Sequence, residues 1–533
     1  MLGMHPLNRY ARTKPDFAEL AKKYPSFAPF VTTTAEGSSQ IDFKDSNALR
    51  ALTTTLLKED WQLDVELRED RLCPTGYLEP DGWLLPGESP GVEAAPAVDS
   101  TRTTRILDIG TGHVAIYPLL LNRLRPNATI YATESDQVSF EHSLTTLKRN
   151  NIPPDRVHLI KANSSGQILF PLLDNTVDLV MCNPPFYASL QELEEGMERK
   201  TKGPFAAPTA SNNELITRGG EVAFVGQMIT ESLRLMDQCR WYTSLIGIYA
   251  SLQPLVDLLR SYKIDNYFVK IIKPSHTTRW VLGWSFGDIR LPDTLTRPDS
   301  LIAGTSYTKL ISTSNTLRHT PLHPPLPLDQ LREAVIAVLK SIKLGPGSSG
   351  SNLFKDGIVL QPSTNTWSRA ARRQAAREQT GADPTPKGEP TASEGKLLFT
   401  ARLSFIDAVP PSKVTADGAD EVENAYKPRS ITERLGRQGD WRGATLTLHV
   451  IAGRDRDIVD AFWKFLLNKA GLLGSNVSGH GHGESHDGHD SKMDAEGSGR
   501  NQYLESGAQR GRGARGHRGG RGGRRGRGRV RMV

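Results

Sequence analysis

The sequence predicts an α/β fold with a mostly parallel, doubly wound sheet, followed by a small α+β domain. Segments with strand and helix patterns alternate between residues 104 and 290, which is typical of a parallel sheet with helices on both faces. Two of the predicted strands end in residues that suit ligand binding, as expected at the carboxyl edge of such a sheet. Beyond residue 300 the alternation stops, and amphipathic helices flank two strands of alternating polarity.

The elements follow from the apolar pattern and from the positions of proline and glycine. Residues 1–75 predict a helical N-terminal module, residues 76–103 a Pro/Gly-rich variable loop, and residues 187–218 a polar substrate loop or a structureless insertion. Apolar runs predict strands near 104–110, 129–134, 157–162, 177–183, 241–248, 266–272 and 279–286. Helical spacing predicts helices near 114–124, 137–149, 221–237 and 253–262.

Residues 300–472 predict the α+β domain. Its expected elements are a helix at 328–342, strands at 398–405 and 445–450, and a closing helix at 458–467. Segments near 370–395 and 407–440 are rich in proline, glycine and charge, so we expect disordered inserts there. Residues 473–533 predict a disordered tail for the same compositional reason.

The net charge of +7 is concentrated at one end of the chain. Residues 509–533 carry ten arginines and no acidic residue, so the remainder has a net charge of −3. Arg-Gly segments of this kind bind RNA through phosphate charge and guanidinium stacking, with little sequence preference. A solubility or localisation function without RNA contact is the alternative for this segment.

Cysteine usage and hydropathy exclude several classes of protein. Cys73, Cys182 and Cys239 are widely spaced, which suits a reducing compartment and argues against a disulfide scaffold or a zinc site. The histidines at 480, 482, 486 and 489 lie among Gly, Ser and Asp, and we interpret them as a linker rather than a metal site. No apolar run is long enough to span a bilayer, and the start of the chain lacks a secretory h-region.

A glycine turn follows the first predicted strand. Residues 104–112 combine an apolar strand with Asp108, Gly110 and Gly112, and the next strand ends in Glu134. Glycines let the backbone approach a nucleotide-like ligand, and a carboxylate after the second strand suits ribose hydroxyls. NAD sites use a similar turn, and their third glycine position is Ala115 here, so spacing alone leaves NAD open.

The tetrapeptide Asn183-Pro184-Pro185-Phe186 follows the apolar strand 177–182. Because a diproline ends the strand, an amide, two carbonyls and an aromatic ring are presented at its carboxyl end. The amide oxygen and a proline carbonyl can accept from an exocyclic amine, and Phe186 can stack on its base. The order of glycine turn, acidic strand end and this motif favours an amino-methyltransferase dependent on S-adenosylmethionine (SAM).

Further motifs carry a resemblance to a known family over roughly residues 4–290. Near the start these motifs are Asn8-Arg9-Tyr10, Pro15-Asp16-Phe17-Ala18, Lys23-Tyr24-Pro25, Phe43-Lys44-Asp45, 48–53 and Leu57-Lys58-Glu59-Asp60. Later ones are 116–120, Gly219-Gly220-Glu221, Arg240-Trp241-Tyr242 and 279–286. The chain resembles the N6-adenosine methyltransferases of U6 small nuclear RNA, which have bacterial relatives acting on 23S ribosomal RNA.

The resemblance implies a class I SAM-dependent methyltransferase (Rossmann-like) fold that methylates the exocyclic amine of an adenosine in structured RNA, most simply U6 snRNA in the nucleus, or also in the cytoplasm. It implies RNA binding by the N-terminal module and, from its position, by the C-terminal domain, where the segment Trp367–Arg373 supports it. We expect RNA as partner, SAM as cofactor, and neither a metal nor a membrane.

The candidate residues fall into three groups. The catalytic candidates are Asn183, Pro184, Pro185 and Phe186. The cofactor-binding candidates are Asp108, Gly110, Thr111, Gly112, Val114, Glu134, Gly166 and Asn183. The RNA-binding candidates are Lys44, Arg199, Lys200, Lys202, Arg218 and Arg279.

Two departures from the family keep alternatives open. The family follows Pro74-Thr75 with an arginine that contacts SAM, whereas this chain has Gly76-Tyr77-Leu78-Glu79 and offers no such residue. Small residues are usual after the second glycine, where this chain has His113-Val114. The alternatives are a methyltransferase acting on ribosomal RNA adenine or on protein glutamine, and a catalytically inactive protein that binds SAM or RNA.

Overall fold

A computed structural model defines the fold. It describes residues 15–35, 37–74, 103–163, 166–170, 176–198, 212–272, 278–297, 306–321, 325–342, 353–354, 357–373, 397–407 and 443–473. The Arg-Gly segment, the histidine tract, the 76–102 loop and most of the two predicted inserts lie outside these residues.

A seven-stranded sheet forms the centre of the methyltransferase-like part. Its strands are β3 (Arg105–Ile109), β4 (Thr129–Glu134), β5 (Val157–Lys161), β6 (Val177–Cys182), β7 (Cys239–Ile246), β8 (Tyr267–Ile272) and β9 (Arg279–Trp284). Their order is β5-β4-β3-β6-β7-β9-β8. The first five are parallel and β9 runs antiparallel to both of its neighbours. The predicted mostly parallel α/β fold is therefore confirmed.

Helices cover both faces of this sheet. They are α3 (Ile116–Leu124) and α4 (Gln137–Arg149) on one face, and α7 (Gly220–Leu235) and α8 (Leu252–Ser261) on the other. Each face has its own apolar core, centred on Leu119 and Leu147 on the first face and on Met228 and Leu255 on the second. Because these cores clamp the sheet, the loops at its carboxyl edge start from fixed points.

The N-terminal module is not wholly helical. Between α1 (Phe17–Lys23) and α2 (Ser46–Trp61) lies an antiparallel hairpin, β1 (Val31–Thr33) and β2 (Ser39–Ile41). The two helices agree with the predicted helical module, but the hairpin was not predicted, because each strand has only three residues, too few to show a period-two pattern. After α2, Leu63 and Val65 join the core under α3 and α4, which fastens the module to the sheet.

The polar stretch 187–218 contains regular structure at both ends. Helix α5 (Leu190–Glu198) begins it and a short helix α6 (Asn212–Leu215) lies near its end. The backbone of Tyr187 pairs with that of Leu215 and Thr217, so the two ends of the stretch meet. The prediction of a flexible loop is therefore corrected for these ends, while residues 199–211 lie outside the described chain.

A second sheet lies in the C-terminal part. Its strands are β10 (Thr316–His319), β11 (Leu353–Phe354), β12 (Gly357–Leu360), β13 (Thr400–Ile406) and β14 (Thr445–Ala452), in the order β10-β14-β13-β12-β11. After a short helix α9 (Asp293–Thr296), the helices α10 (Leu328–Ser341) and α11 (Arg456–Lys469) pack on one face. Trp367 is 2% exposed and packs against Phe399 and Phe462, so its ring cannot stack on RNA.

Arg290 joins the two sheets. It is 7% exposed, its amide donates to Ile451 O at 2.9 Å, and its Nε donates to Gly453 O at 3.0 Å. Its guanidinium also pairs with Asp265 at 3.2 Å. These contacts fix β14 against the methyltransferase-like part.

No described helix is long and apolar enough to cross a membrane.

Candidate active site

The carboxyl ends of three neighbouring strands meet at one edge of the large sheet. In the register of the parallel pairs, Ile109 of β3 lies opposite Thr133 of β4 and Cys182 of β6. The chain leaves these three strands through Gly110, Glu134 and Asn183. The glycine turn, Glu134 and Asn183, which together span about 70 residues of sequence, therefore lie at the same end of the sheet. Open α/β sheets bind ligands at this end.

The glycine turn leaves open space above β3. Gly110 and Gly112 have φ angles of 70° and 71°, a region that glycine adopts without steric cost. A Cβ atom at either position would meet no atom within 4 Å. Thr111 N donates to Thr133 O at 2.8 Å and ties the turn to β4. The turn therefore presents a backbone surface that a ligand can approach closely.

Glu134 is held at the end of β4 by two backbone amides. Its Oε2 accepts from Gly112 N at 2.9 Å, and its Oε1 accepts from Asp136 N at 2.8 Å. The side chain is 8% exposed, and burial raises the pKa of its carboxyl. Each oxygen keeps a further lone pair, so the carboxylate can accept from two ligand hydroxyls without leaving its position.

Asp108 lies beneath the glycine turn and is 1% exposed. By geometry, neither carboxyl oxygen nor the nearby Thr111 Oγ1 completes a hydrogen bond to a described residue, although the Thr111 hydroxyl lies near enough to lower the carboxyl pKa. Burial raises the pKa of Asp108 from 3.8 to about 7, and the charge of Glu134 adds to the shift. Unpartnered buried polar atoms beside an open turn fit a polar, cationic ligand such as SAM.

We expect Asp108→Asn to stabilise the ligand-free protein at high pH. The unfolded carboxyl titrates near 3.8 and the folded one near 7, so wild-type stability falls as pH rises from about 4 to about 7. The amide variant cannot ionise and escapes this loss. Its melting temperature should exceed that of wild type by about 3 °C or more at pH 8, with a smaller difference at pH 4.5. An equal difference at both pH values would contradict a titrating Asp108.

Asn183 begins the candidate catalytic motif directly after β6. Its Oδ1 is buried and has no hydrogen-bond partner in the described chain. Pro184 is buried, Pro185 and Phe186 are half-buried, and none of the four residues belongs to a helix or strand. A buried amide oxygen without a hydrogen bond lowers the stability of the fold by about 1–3 kcal/mol. An amine that donates to this oxygen would remove the penalty.

The ring of Phe186 lies close to the backbone of Gly247. A Cβ atom on Gly247, the residue after β7, would be 2.5 Å from Phe186 Cδ1. The guanidinium carbon of Arg279 lies 5.8 Å from the centroid of the Phe186 ring. Arg279 is half-buried, its Nη1 faces Gly247 O at 3.5 Å, and burial lowers its pKa. The structure thus places this RNA-binding candidate beside the aromatic ring of the candidate motif.

Two buried residues near the site, Glu221 and Arg71, were not among the candidates from the sequence. Glu221, in the first turn of α7, is 1% exposed and accepts from the amides of Gly247 and Ile248. Arg71, 8% exposed, bonds Ser139 Oγ at 3.1 Å and Asp136 Oδ2 at 3.0 Å. An acid following Gly219-Gly220 was a visible signal for the first. Besides the adjacent Asp70, the partners of Arg71 are 65 and 68 residues away, so these long-range contacts leave no local signal.

His113, which stands where the family usually has a small residue, is buried. The ring is 2% exposed, and its Nε2 accepts from Arg68 N at 3.4 Å. Burial lowers its pKa to about 3, so the ring is neutral at physiological pH. His113 thereby contacts the segment that carries Arg71, and the glycine turn is packed against the N-terminal module.

The remaining candidates differ in their exposure to solvent. Val114 is 1% exposed and its side chain belongs to the apolar core, so only its backbone can face a ligand. Gly166 is exposed and follows β5 at the same sheet edge. Lys44 and Arg218 are exposed, at the start of α2 and before α7. Arg199, Lys200 and Lys202 lie outside the described residues.

Comparison with known proteins decides the family. A family model described as "RNA methyltransferase" matches residues 1–288, more than half of the chain. The chain belongs to this family. It is therefore an RNA methyltransferase by membership, and the sheet edge with the Asn-Pro-Pro-Phe motif is the active-site candidate of this RNA methyltransferase fold.

Several relatives match over most of their length. The RNA N(6)-adenosine-methyltransferase mettl16 of Danio rerio is 32% identical over 480 residues, covering 87% of this chain and 97% of its own. The U6 small nuclear RNA (adenine-(43)-N(6))-methyltransferase of Schizosaccharomyces pombe is 33% identical, and the match covers 63% of this chain and 83% of the relative. A crystal structure of the hMettl16 catalytic domain in complex with MAT2A 3'UTR hairpin 1 is 34% identical in sequence and has a TM-score of 0.49. The match covers 54% of this chain and 98% of the chain in that structure.

Proposed function

We propose that this RNA methyltransferase transfers a methyl group from SAM to the N6 amine of an adenosine in structured RNA, with U6 snRNA as its substrate. The observation that carries the proposal is the buried, unpartnered Oδ1 of Asn183 beside a half-buried Phe186. An acceptor next to an aromatic ring suits a flipped adenine, which offers an exocyclic amine and a flat face. The names of the relatives, which act on adenosine N6, support the same substrate class.

In this mechanism SAM supplies the activated methyl group when it is bound. Glu134 would accept from the ribose hydroxyls, Gly110 and Gly112 would leave room for the ligand, and Asp108 would border the pocket from beneath the glycine turn. Asn183 Oδ1 and the carbonyl of Pro184 accept from the adenine amine and orient it. Phe186 stacks on the base, an interaction worth roughly 1–3 kcal/mol. No general base is required before transfer, because the proton can leave the cationic product.

Methyl transfer assayed with SAM on total RNA, followed by mapping of the modified adenosines, tests this function. We expect N6-methyladenosine in U6 snRNA and none after an Asn183 substitution. Methylation of ribosomal RNA or of protein glutamine would support the corresponding alternative. Calorimetric titration with SAM separates an inactive protein from an active one with a different substrate, because the chain lacks the family's SAM-contacting arginine after Thr75.

The RNA surface is proposed from charged residues around the site. Lys44 and Arg218 are exposed cations in the described chain, and Arg199, Lys200 and Lys202 follow α5 in sequence. In the C-terminal sheet, Arg318, Arg402 and His449 lie on adjacent strands. Their face is opposite to the one that the helices cover, because Leu403 and Leu448 point into the core. We propose that both the N-terminal module and this sheet contact RNA, and that the protein acts in the nucleus.

Deleting residues 509–533 should weaken RNA binding and flatten its salt dependence while turnover at saturating RNA is kept. The segment carries ten arginines and no acid. Each neutralised phosphate contributes about −0.7 to the log–log salt slope on single strands, so contact with three or four phosphates changes the slope by about 2–3 units. Changing all ten arginines to lysine is the matched control, because it preserves the charge and should preserve the slope. An unchanged slope on deletion would favour the localisation function.

A further inference from the structure

We infer that Glu221 and Gly247 are positioning residues that set the plane of the Phe186 ring for the adenine. The inference rests on the proposed function, since it concerns how the catalytic motif presents its aromatic face. Neither residue belongs to the catalytic motif or to the cofactor-binding candidates. Each acts on the base through Phe186 alone.

The first argument is the close contact between Gly247 and the ring. A Cβ atom on Gly247 would lie 2.5 Å from Cδ1, 2.8 Å from Cε1 and 3.1 Å from Cγ of Phe186. Contacts of this length do not occur between real atoms, so any side chain at position 247 must displace the ring. The absence of a side chain here is therefore what allows the ring to lie where it does.

The second argument is that Glu221 holds both the ring's support and its backbone. Its Oε2 accepts from Gly247 N at 2.8 Å and its Oε1 accepts from Ile248 N at 2.9 Å. Its own amide donates to Phe186 O at 3.4 Å. One residue thus ties the segment beneath the ring to the peptide that carries the ring.

The third argument is that a buried carboxylate, rather than an apolar side chain, binds the backbone after β7. β7 ends at Ile246, opposite Trp280 of β9, so the amides of Gly247 and Ile248 lie beyond the sheet ladder. A buried carboxylate replaces the missing strand partner, although an apolar side chain would generally stabilise a core better. Arg279 closes the arrangement, because it faces both the ring and Gly247 O. The geometry is that of a rigid seat for an aromatic ring.

The test compares Gly247→Ala and Glu221→Gln with Gly226→Ala. Gly226 lies in α7, where an added Cβ would meet Leu258 Cδ2 at an ordinary 3.6 Å. We expect Gly247→Ala to lower kcat at least about 30-fold and Glu221→Gln about 10-fold, which are losses typical of small misplacements in an active site. SAM affinity should stay within about twofold because the cofactor contacts are unchanged. Gly226→Ala should match wild type in kcat and in SAM affinity.

A double-mutant cycle with Phe186→Leu separates positioning from a general structural effect. If position 247 acts through the ring, Gly247→Ala should cost less than about threefold further once the ring is gone. Full additivity, or a Gly247→Ala kcat within about threefold of wild type, overturns the inference. If Gly247→Ala fails to fold, as judged by its melting curve, Glu221→Gln is put through the same cycle. Absence of methyl transfer by wild type and Gly226→Ala would instead overturn the proposed function.

Discussion

Asn183→Ala should abolish methyl transfer while SAM binding stays nearly intact. The alanine removes the acceptor that orients the adenine amine, and misplacement of a reacting group by about 1 Å costs on the order of 100-fold in rate. A loss of at least about 100-fold corresponds to about 2.7 kcal/mol of transition-state stabilisation. Single-turnover assays with RNA, and calorimetric titration with SAM, measure the two quantities separately.

The same variant should fold normally. Asn183 Oδ1 has no partner in the described chain, so its removal breaks no hydrogen bond and the melting temperature should not fall by more than a few degrees. Asn127→Ala is the matched control, because Asn127 is exposed in the turn before β4 at the opposite edge of the sheet. Activity of Asn183→Ala within about threefold of wild type would exclude Asn183 from the catalytic step.

Glu134→Ala should weaken SAM binding by roughly 1–3 kcal/mol, the cost of losing hydrogen bonds to a charged group. This is about a 5- to 150-fold increase in Kd. The structure adds a second reason, because the carboxylate also accepts from Gly112 N and Asp136 N and so holds the glycine turn in place. Titration calorimetry at pH 7.5 with SAM gives the value directly.

Glu141→Ala serves as the control for Glu134→Ala. Glu141 is exposed on α4, and its carboxylate accepts a hydrogen bond from Gln137 Nε2, one turn earlier. We expect its Kd for SAM to equal that of wild type. A Glu134→Ala variant with an unchanged Kd would mean that this carboxylate does not contact the ribose, and the assignment of the cofactor pocket would have to be revised.

The two variants affect different halves of one site. Glu134 and the glycine turn lie on β3 and β4, whereas Asn183 follows β6, and all three strands are adjacent. Loss of Glu134 should therefore raise the SAM concentration needed for activity, and saturating SAM should restore much of the rate. Loss of Asn183 should not be restored by more SAM or more RNA, because it changes the step after both are bound.

The sequence by itself determined the strands of the sheet, the order in which its motifs occur and the candidate catalytic motif. Strands such as β4 at Thr129–Glu134 and helices such as α4 at Gln137–Arg149 lie where the apolar pattern predicts them, because each buries a face of fixed periodicity. The glycine turn, Glu134 and Asn183-Pro184-Pro185-Phe186 were visible for a related reason. Their backbone requirements restrict the residue types at each position.

Only the tertiary structure decided how the site is supported. The three-residue strands β1 and β2 carry too little pattern to be predicted, and α5 lies in a stretch whose polar surface resembles a loop. The contacts of Gly247 with Phe186, and those of Arg71 with Asp136, join residues more than 60 positions apart. Such partners depend on which strands become neighbours in the sheet, and no local periodicity records that. Motifs are therefore legible in the chain, whereas the residues that orient them become visible only when the sheet brings them together.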